Sequence, residues 1–221
     1  MSEFSTFVLC TRSNNTIDLN RLHFQEQQLS FKIIDNREKS VAYGRQKGYE
    51  ETDSLFVSFI DDDDISRLTN KQVAQMLLGY TVKPVYTNSL KISNKERILL
   101  TNSNVKLWSL ENERTRKTKP HQTLILKKEQ ALQFTKITLA LLRFKKWPEN
   151  TFDYVFRSLI SLELGWDYFS EVTYEWYVGS DSLHLRDRMF LYMASNYFFN
   201  YVKLPNSPSY ENEKALIYNS R

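Results

Sequence analysis

Three short apolar runs, each closed by a polar cluster, set the tightest limit on what this chain can fold into. They are Thr6 to Cys10 (TFVLC), ending in Thr11-Arg12-Ser13-Asn14-Asn15; Phe31 to Ile34 (FKII), ending in Asp35-Asn36; and Leu55 to Ile60 (LFVSFI), ending in four aspartates. Between them lie segments with helical spacing, Ile17 to Gln28 and Val41 to Glu51. A further helix, Lys71 to Gly79, is stopped by its glycine. Strands alternating with helices at this spacing predict βαβ units, hence an α/β fold with a mostly parallel sheet flanked by helices. Sheets of this kind bind ligands beyond the carboxyl ends of their strands, where all three polar clusters fall.

The 221 residues, 41% of them hydrophobic, suit one domain with a real core. Within that domain a first half, 1–90, and a second half, 91–221, that includes C-terminal helices are expected. Only five glycines and five prolines are present, so turns must rely on Asn, Asp and Ser. The single cysteine, Cys10, excludes an intrachain disulfide framework and a four-cysteine zinc site. The first residues show no basic region before a long apolar stretch, and no run of 18 apolar residues occurs, so neither a signal peptide nor a membrane span is expected. The expected compartment is the cytoplasm. Charge is spread unevenly: residues 1–64 hold 7 Lys/Arg against 12 Asp/Glu, and residues 101–150 hold 11 against 4. The first stretch suits a cation and the second an anion.

The run Phe59-Ile60-Asp61-Asp62-Asp63-Asp64 carries the chemistry. Adjacent carboxylates repel each other. Two at alternate positions after a strand can point to one side and hold a divalent cation. Mg²⁺ or Mn²⁺ takes such oxygen ligands and shares its shell with a diphosphate, where it helps the leaving group depart. The plainer alternative is a solvated acidic turn that caps a helix.

The segment from Tyr43 to Asp64 (YGRQKGYEETDSLFVSFIDDDD) resembles the central signature of family 2 glycosyltransferases. There an Arg-containing turn and a glycine lead into a helix, a strand and an Asp-x-Asp-Asp motif. Arg45, Gly48 and the aspartates stand at that spacing. Thr11 and Arg12 look like the family's opening nucleotide-contacting turn, and Asp35 like its nucleobase-binding carboxylate. The resemblance implies a GT-A fold, Rossmann-like with a helical C-terminal part. It also implies a nucleotide-sugar donor, with a uridine diphosphate sugar the expected one. On this reading Thr11, Arg12, Asp35, Arg45, Asp61 and Asp62 face the donor. Asp61 and Asp63, with Asp64 beside them, hold Mn²⁺ or Mg²⁺.

The second half resembles the family less. The stretch 91–120 is polar and poorly periodic, with room for a mobile loop. His121 to Leu126 reads as a strand, Lys128 to Phe144 and Thr151 to Leu164 as helices, Val172 to Val178 as an aromatic strand, and Arg186 to Leu204 as a last helix. The segment Glu149-Asn150-Thr151-Phe152-Asp153 is similar to the region carrying the family's catalytic base, with Asn150 where an aspartate is usual. The base is therefore Asp153 or Glu149. Glu149 has a plainer reading as a helix cap, and Asp153 as an i,i+4 partner of Arg157. His184 is a candidate to complete the metal shell, or else an exposed loop histidine.

The implied reaction is an inverting transfer of a hexose or pentose. Arg114, Arg116, Lys117, Lys119, Lys127, Lys128, Arg143, Lys145 and Lys146 invite a polyanionic acceptor. The candidates are DNA bearing a hydroxylated base, as in a phage DNA-modifying enzyme, or a surface glycan. A non-catalytic nucleic-acid-binding protein, with a purely structural acidic turn, is the alternative from another class.

Overall fold

A computed structural model describes residues 4–10, 30–37, 39–62, 64–78, 83–93, 96–100, 124–177, 190, 193, 194, 196 and 197. Among the described residues, eight strands join in one sheet: β1 (Phe4–Cys10), β2 (Phe31–Asp35), β3 (Phe56–Asp61), β4 (Ile65–Ser66), β5 (Val85–Ile92), β6 (Arg97–Leu100), β7 (Leu124–Lys127) and β8 (Asp167–Tyr177). The helices described over their length are α1 (Val41–Glu51), α2 (Asn70–Leu78), α3 (Lys128–Lys145) and α4 (Phe152–Glu163), the last preceded by a 3₁₀ turn at Glu149–Thr151.

The sheet order is β2-β1-β3-β7-β5-β8-β4, with β6 paired to β5. The long ladders are parallel: β1 with β2, β1 with β3, and β5 with β8. Shorter antiparallel pairings, β3 with β7 and β5 with β7, join the two parallel blocks. The expected α/β architecture is present, and β7 is the seam that makes the sheet mixed.

Alternation along the strands sorts the core into two layers. Phe7 and Leu9 of β1, Val57 and Phe59 of β3, and Leu124 and Leu126 of β7 pack with α1, α3 and α4. Phe4 and Val8, Phe56 and Ile60, and Ile125 pack on the other face with Val73 and Met76 of α2. Asp61 ends β3 with the parity of Val57 and Phe59. The same period that buries those two side chains therefore aims Asp61 at the face covered by α1 and α4.

Helix α1 begins at Ser40, whose Oγ accepts from the Tyr43 N–H at 3.2 Å. Its buried positions are Ala42, Gly44, Arg45, Gly48 and Tyr49, a helical stripe that includes one charge. The two glycines let α1 lie almost on β1. A Cβ on Gly48 would fall 2.3 Å from the Phe7 ring, and one on Gly44 would fall 2.5 Å from Leu9. Gly48→Ala should therefore destabilise the fold. Better helix propensity favours alanine by about 1 kcal/mol, whereas overpacking against a fully buried ring costs about 1–3 kcal/mol. A lower urea midpoint at unchanged m-value is the expected measurement.

The polar stretch 91–120 opens with strand: β5 continues to Ile92 and β6 follows at Arg97–Leu100. Strand β8 starts earlier than Val172, at Asp167. Of the expected last helix, residues 190, 193, 194, 196 and 197 are described and helical. Ala194 is buried in the core, and the Tyr197 ring meets Trp147 edge-on at 5.4 Å. The expected helix over 17–28 and the segment 101–123 lie outside the described residues.

Candidate functional site

The ends of β1, β2 and β3 lie side by side. Cys10 pairs with Asp35 on one flank, and Leu9 pairs with Asp61 on the other. The two carboxylate-bearing ends are thus separated by one strand, or about 10 Å at the usual inter-strand spacing. The Asp62 N–H donates to the Leu9 carbonyl at 3.2 Å and ties the acidic turn to β1. Of the three polar clusters, the one beginning at Thr11 and Arg12 lies outside the described residues, as do Asp63, His184 and the basic run from Arg114 to Lys119.

Arg45 organises the described part. It projects from the buried stripe of α1, is only 2% exposed, and stacks its guanidinium 3.7 Å above the Phe59 ring. Its Nη2 donates to Asp61 Oδ1 at 2.8 Å, and its Nε donates to Asp153 Oδ1 at 3.2 Å. The side chains of Asp61 and Asp153 are 22% and 17% exposed, so each keeps an open edge. Asp153 stands in the first turn of α4, where the helix dipole favours a negative charge.

Beneath the guanidinium is an aromatic floor. Phe59 and Tyr49 pack on Phe7, and Tyr49 stacks on Phe156 at 5.8 Å, which fixes α4 against α1. Burial opposes the charge on Arg45, but attraction and hydrogen bonds from Asp153 and Asp61 outweigh it. The guanidinium pKa lies above its ordinary value.

Arg45→Met should therefore cost about 3–5 kcal/mol, because it leaves two carboxylates facing each other without the cation between them. Adding Asp153→Asn to that variant should recover part of the loss by removing the like-charge repulsion. Urea unfolding of the two variants and the parent measures both effects.

The other candidates differ in surroundings. Asp35 is exposed and gripped by Arg37, which donates from Nε at 2.9 Å, from Nη2 at 2.5 Å and from its backbone N–H at 3.2 Å. Those hydrogen bonds lower its pKa from 3.8 to about 2. Asp62 and Asp64 are buried, and Asp64 is held by β8. Glu149 is exposed in the 3₁₀ turn. Among the described residues, no three His, Cys, Asp or Glu side chains converge on one point.

Lys128 and Lys145, two of the described basic candidates, meet groups of the fold itself. Lys128 donates to the Glu50 carbonyl at 3.1 Å and to the Thr52 carbonyl, so it caps the end of α1. Lys145 lies over the Phe144 and Tyr197 rings, 5.2 and 4.5 Å from their centroids.

A parallel βαβ block with the end of its central strand flanked by carboxylates, extended through an antiparallel seam and covered by helices on both faces, is a GT-A-type α/β fold. Solved structures agree at the level of the fold. S. aureus TarS 1–349 in complex with UDP superposes with a TM-score of 0.50 at 13% identity, over 88% of this chain and 65% of that one. The complex of the same protein with UDP-GlcNAc gives a TM-score of 0.50 at 13% identity, over 98% of this chain and 70% of that one. The chain thus spans about two thirds of the length of the first of these. No family profile matches the sequence, and neither does any curated protein. Among the described residues, no helix is long and apolar enough to cross a membrane.

Proposed function

We propose that this chain is a metal-dependent, inverting glycosyltransferase that takes a sugar from a nucleotide-sugar donor. One observation carries the reading: a single buried guanidinium joins Asp61, at the end of β3, to Asp153, at the start of α4. A carboxylate suited to the donor's metal and one suited to the acceptor's proton thereby face the same space. The open edge and hard oxygen atoms of Asp61 fit Mn²⁺ or Mg²⁺. On this reading Asp61 and Asp63 hold the ion, and Asp35 faces the nucleobase. The ion, when bound, neutralises charge on the departing diphosphate.

The chain's own part in the reaction follows from these placements. Asp153 accepts the proton of the acceptor hydroxyl. That oxygen forms its bond to the anomeric carbon on the side opposite the diphosphate. The bond from the anomeric carbon to the phosphate oxygen breaks, and its electron pair leaves on the nucleoside diphosphate. Arg45 holds Asp153 at a fixed distance from Asp61, which orients the base. The exposed Glu149 is assigned no proton transfer.

The deciding experiment is a screen of uridine and guanosine diphosphate sugars for slow donor hydrolysis, with and without Mn²⁺. Hydrolysis of one donor, dependent on Mn²⁺, is expected. No hydrolysis and no donor-induced thermal shift would favour a nucleic-acid-binding protein instead. For the acceptor, the basic residues between 101 and 150 support a polyanion. Duplex DNA binding should then weaken with a log–log salt slope of about −0.9 per neutralised phosphate. Absence of duplex binding at about 50 mM salt would leave a glycan acceptor.

A further inference from the structure

Asp64 is the most deeply buried described member of the aspartate run, at 1% exposure. Its Oδ2 accepts from the Tyr174 hydroxyl, and its Oδ1 accepts from the Tyr177 backbone N–H at 2.8 Å. Both donors belong to β8, more than 100 residues away in sequence. Tyr174 is itself buried in the α2-side core. The same stretch of β8 grips the chain beyond the turn: Ile65 and Ser66 pair with Glu175 and Tyr174, and the Arg67 N–H donates to the Thr173 carbonyl at 2.8 Å. Buried Glu175 accepts from Arg67 Nε at 2.5 Å and from the Tyr177 hydroxyl at 3.1 Å.

The turn is closed from within as well. The Asp64 N–H donates to the Asp61 carbonyl at 3.2 Å, the bond that closes a four-residue turn. With the Asp62 N–H on Leu9, the segment is held by β1 on one side and by β8 on the other.

We propose that Asp64 is not a metal ligand but the anchor of the acidic turn, and that Tyr174 is a positioning residue for donor binding. An ion that shares its shell with a diphosphate and water needs ligands at the surface. Asp61 meets that need and Asp64 does not. The clasp instead fixes the strand end that bears Asp61. Outer partners of this kind orient ligands, and their loss lowers metal affinity by about 10–100-fold. The inference rests on the transferase reading only for what the turn binds.

The test compares full-length parent, Tyr174→Phe, Asp64→Asn and Asp61→Asn. Affinity for UDP in the presence of Mn²⁺ is measured by calorimetry, and hydrogen exchange of residues 58–66 by mass spectrometry. Tyr174→Phe should speed exchange in the turn and weaken Mn²⁺-dependent UDP binding by about 10–100-fold. The conservative variant Asp64→Asn should retain the slow exchange and most of the affinity, since its amide oxygen can accept from Tyr177 and its amide nitrogen can donate to Tyr174. Asp61→Asn should lose affinity with exchange unchanged. The proposal is overturned if Asp64→Asn costs as much affinity as Asp61→Asn, or if Tyr174→Phe leaves exchange unchanged. If Tyr174→Phe does not fold, the comparison of Asp64→Asn with Asp61→Asn decides. A parent that binds no UDP with Mn²⁺ overturns the transferase reading, and exchange in Tyr174→Phe then judges the anchor by itself.

Discussion

Asp61→Ala is expected to abolish Mn²⁺-dependent binding of the nucleotide-sugar donor, and Asp63→Ala to do the same. Each removes one of two carboxylates assigned to a cation that must also neutralise a diphosphate, and a site reduced to one carboxylate competes poorly with water. The fold should survive Asp61→Ala. Arg45 retains Asp153, the Asp62 N–H still donates to Leu9, and Asp64 still anchors the turn to β8. Asp61→Asn sharpens the test, because an amide oxygen can still accept from Arg45 while the ligand charge is gone. Calorimetric titration of each donor with and without Mn²⁺, alongside thermal unfolding, reads the two effects separately. Donor and metal binding equal to the parent's in the alanine variants would remove the metal assignment.

Asp153→Asn should lower sugar transfer by about 10² or more while leaving donor affinity nearly intact. The substitution keeps the volume and an acceptor for the Arg45 Nε–H, now at 3.2 Å from Asp153 Oδ1, but the amide cannot take a proton. The signature is a fall in kcat at near-constant donor KM. Glu149→Gln serves as the comparison, and its exposed place in the 3₁₀ turn predicts near-parental activity. An inactive Glu149→Gln with a fully active Asp153→Asn would move the base to Glu149. The Arg45 bridge would then be purely structural.

Local pattern made the first half legible. Helix α1 runs from Val41 to Glu51 and β3 ends at the aspartates, as apolar spacing and the polar stop predict. The expected helices after Lys128 and Thr151 appear as α3 and α4 for the same reason. Arg45 and Gly48, which the resemblance reads as a turn leading into a helix, stand inside α1 instead, on its buried stripe. Strand β5 escaped because its buried residues include Thr87, Asn88 and Ser89, which carry no apolar alternation. The polarity of Thr87 and Asn88 is met from β8: the Thr87 and Thr173 hydroxyls lie 2.6 Å apart, Asn88 Nδ2 donates to the Ser170 carbonyl, and the Tyr168 hydroxyl donates to Asn88 Oδ1. A buried polar side chain is stable only where such partners exist, and no window of local sequence reveals partners some 80 residues away.

The sequence by itself determined the periodicities, and through them the βαβ order, the strand end that bears the aspartates and the helix that bears Arg45. These depend on residues within one or two turns of each other. Only the tertiary structure decided which carboxylates meet. Arg45 and Asp153 are 108 residues apart, as are Arg67 and Glu175, and Asp64 and Tyr174 are 110 apart. Run together in sequence, the four aspartates look alike. Packing gives three of them different surroundings: Asp61 a half-open place beside a buried cation, Asp62 a backbone tie to β1, and Asp64 a buried clasp on β8. The cause is that burial and hydrogen-bond partners set what a carboxylate can do, and both are supplied by strands and helices distant in the chain.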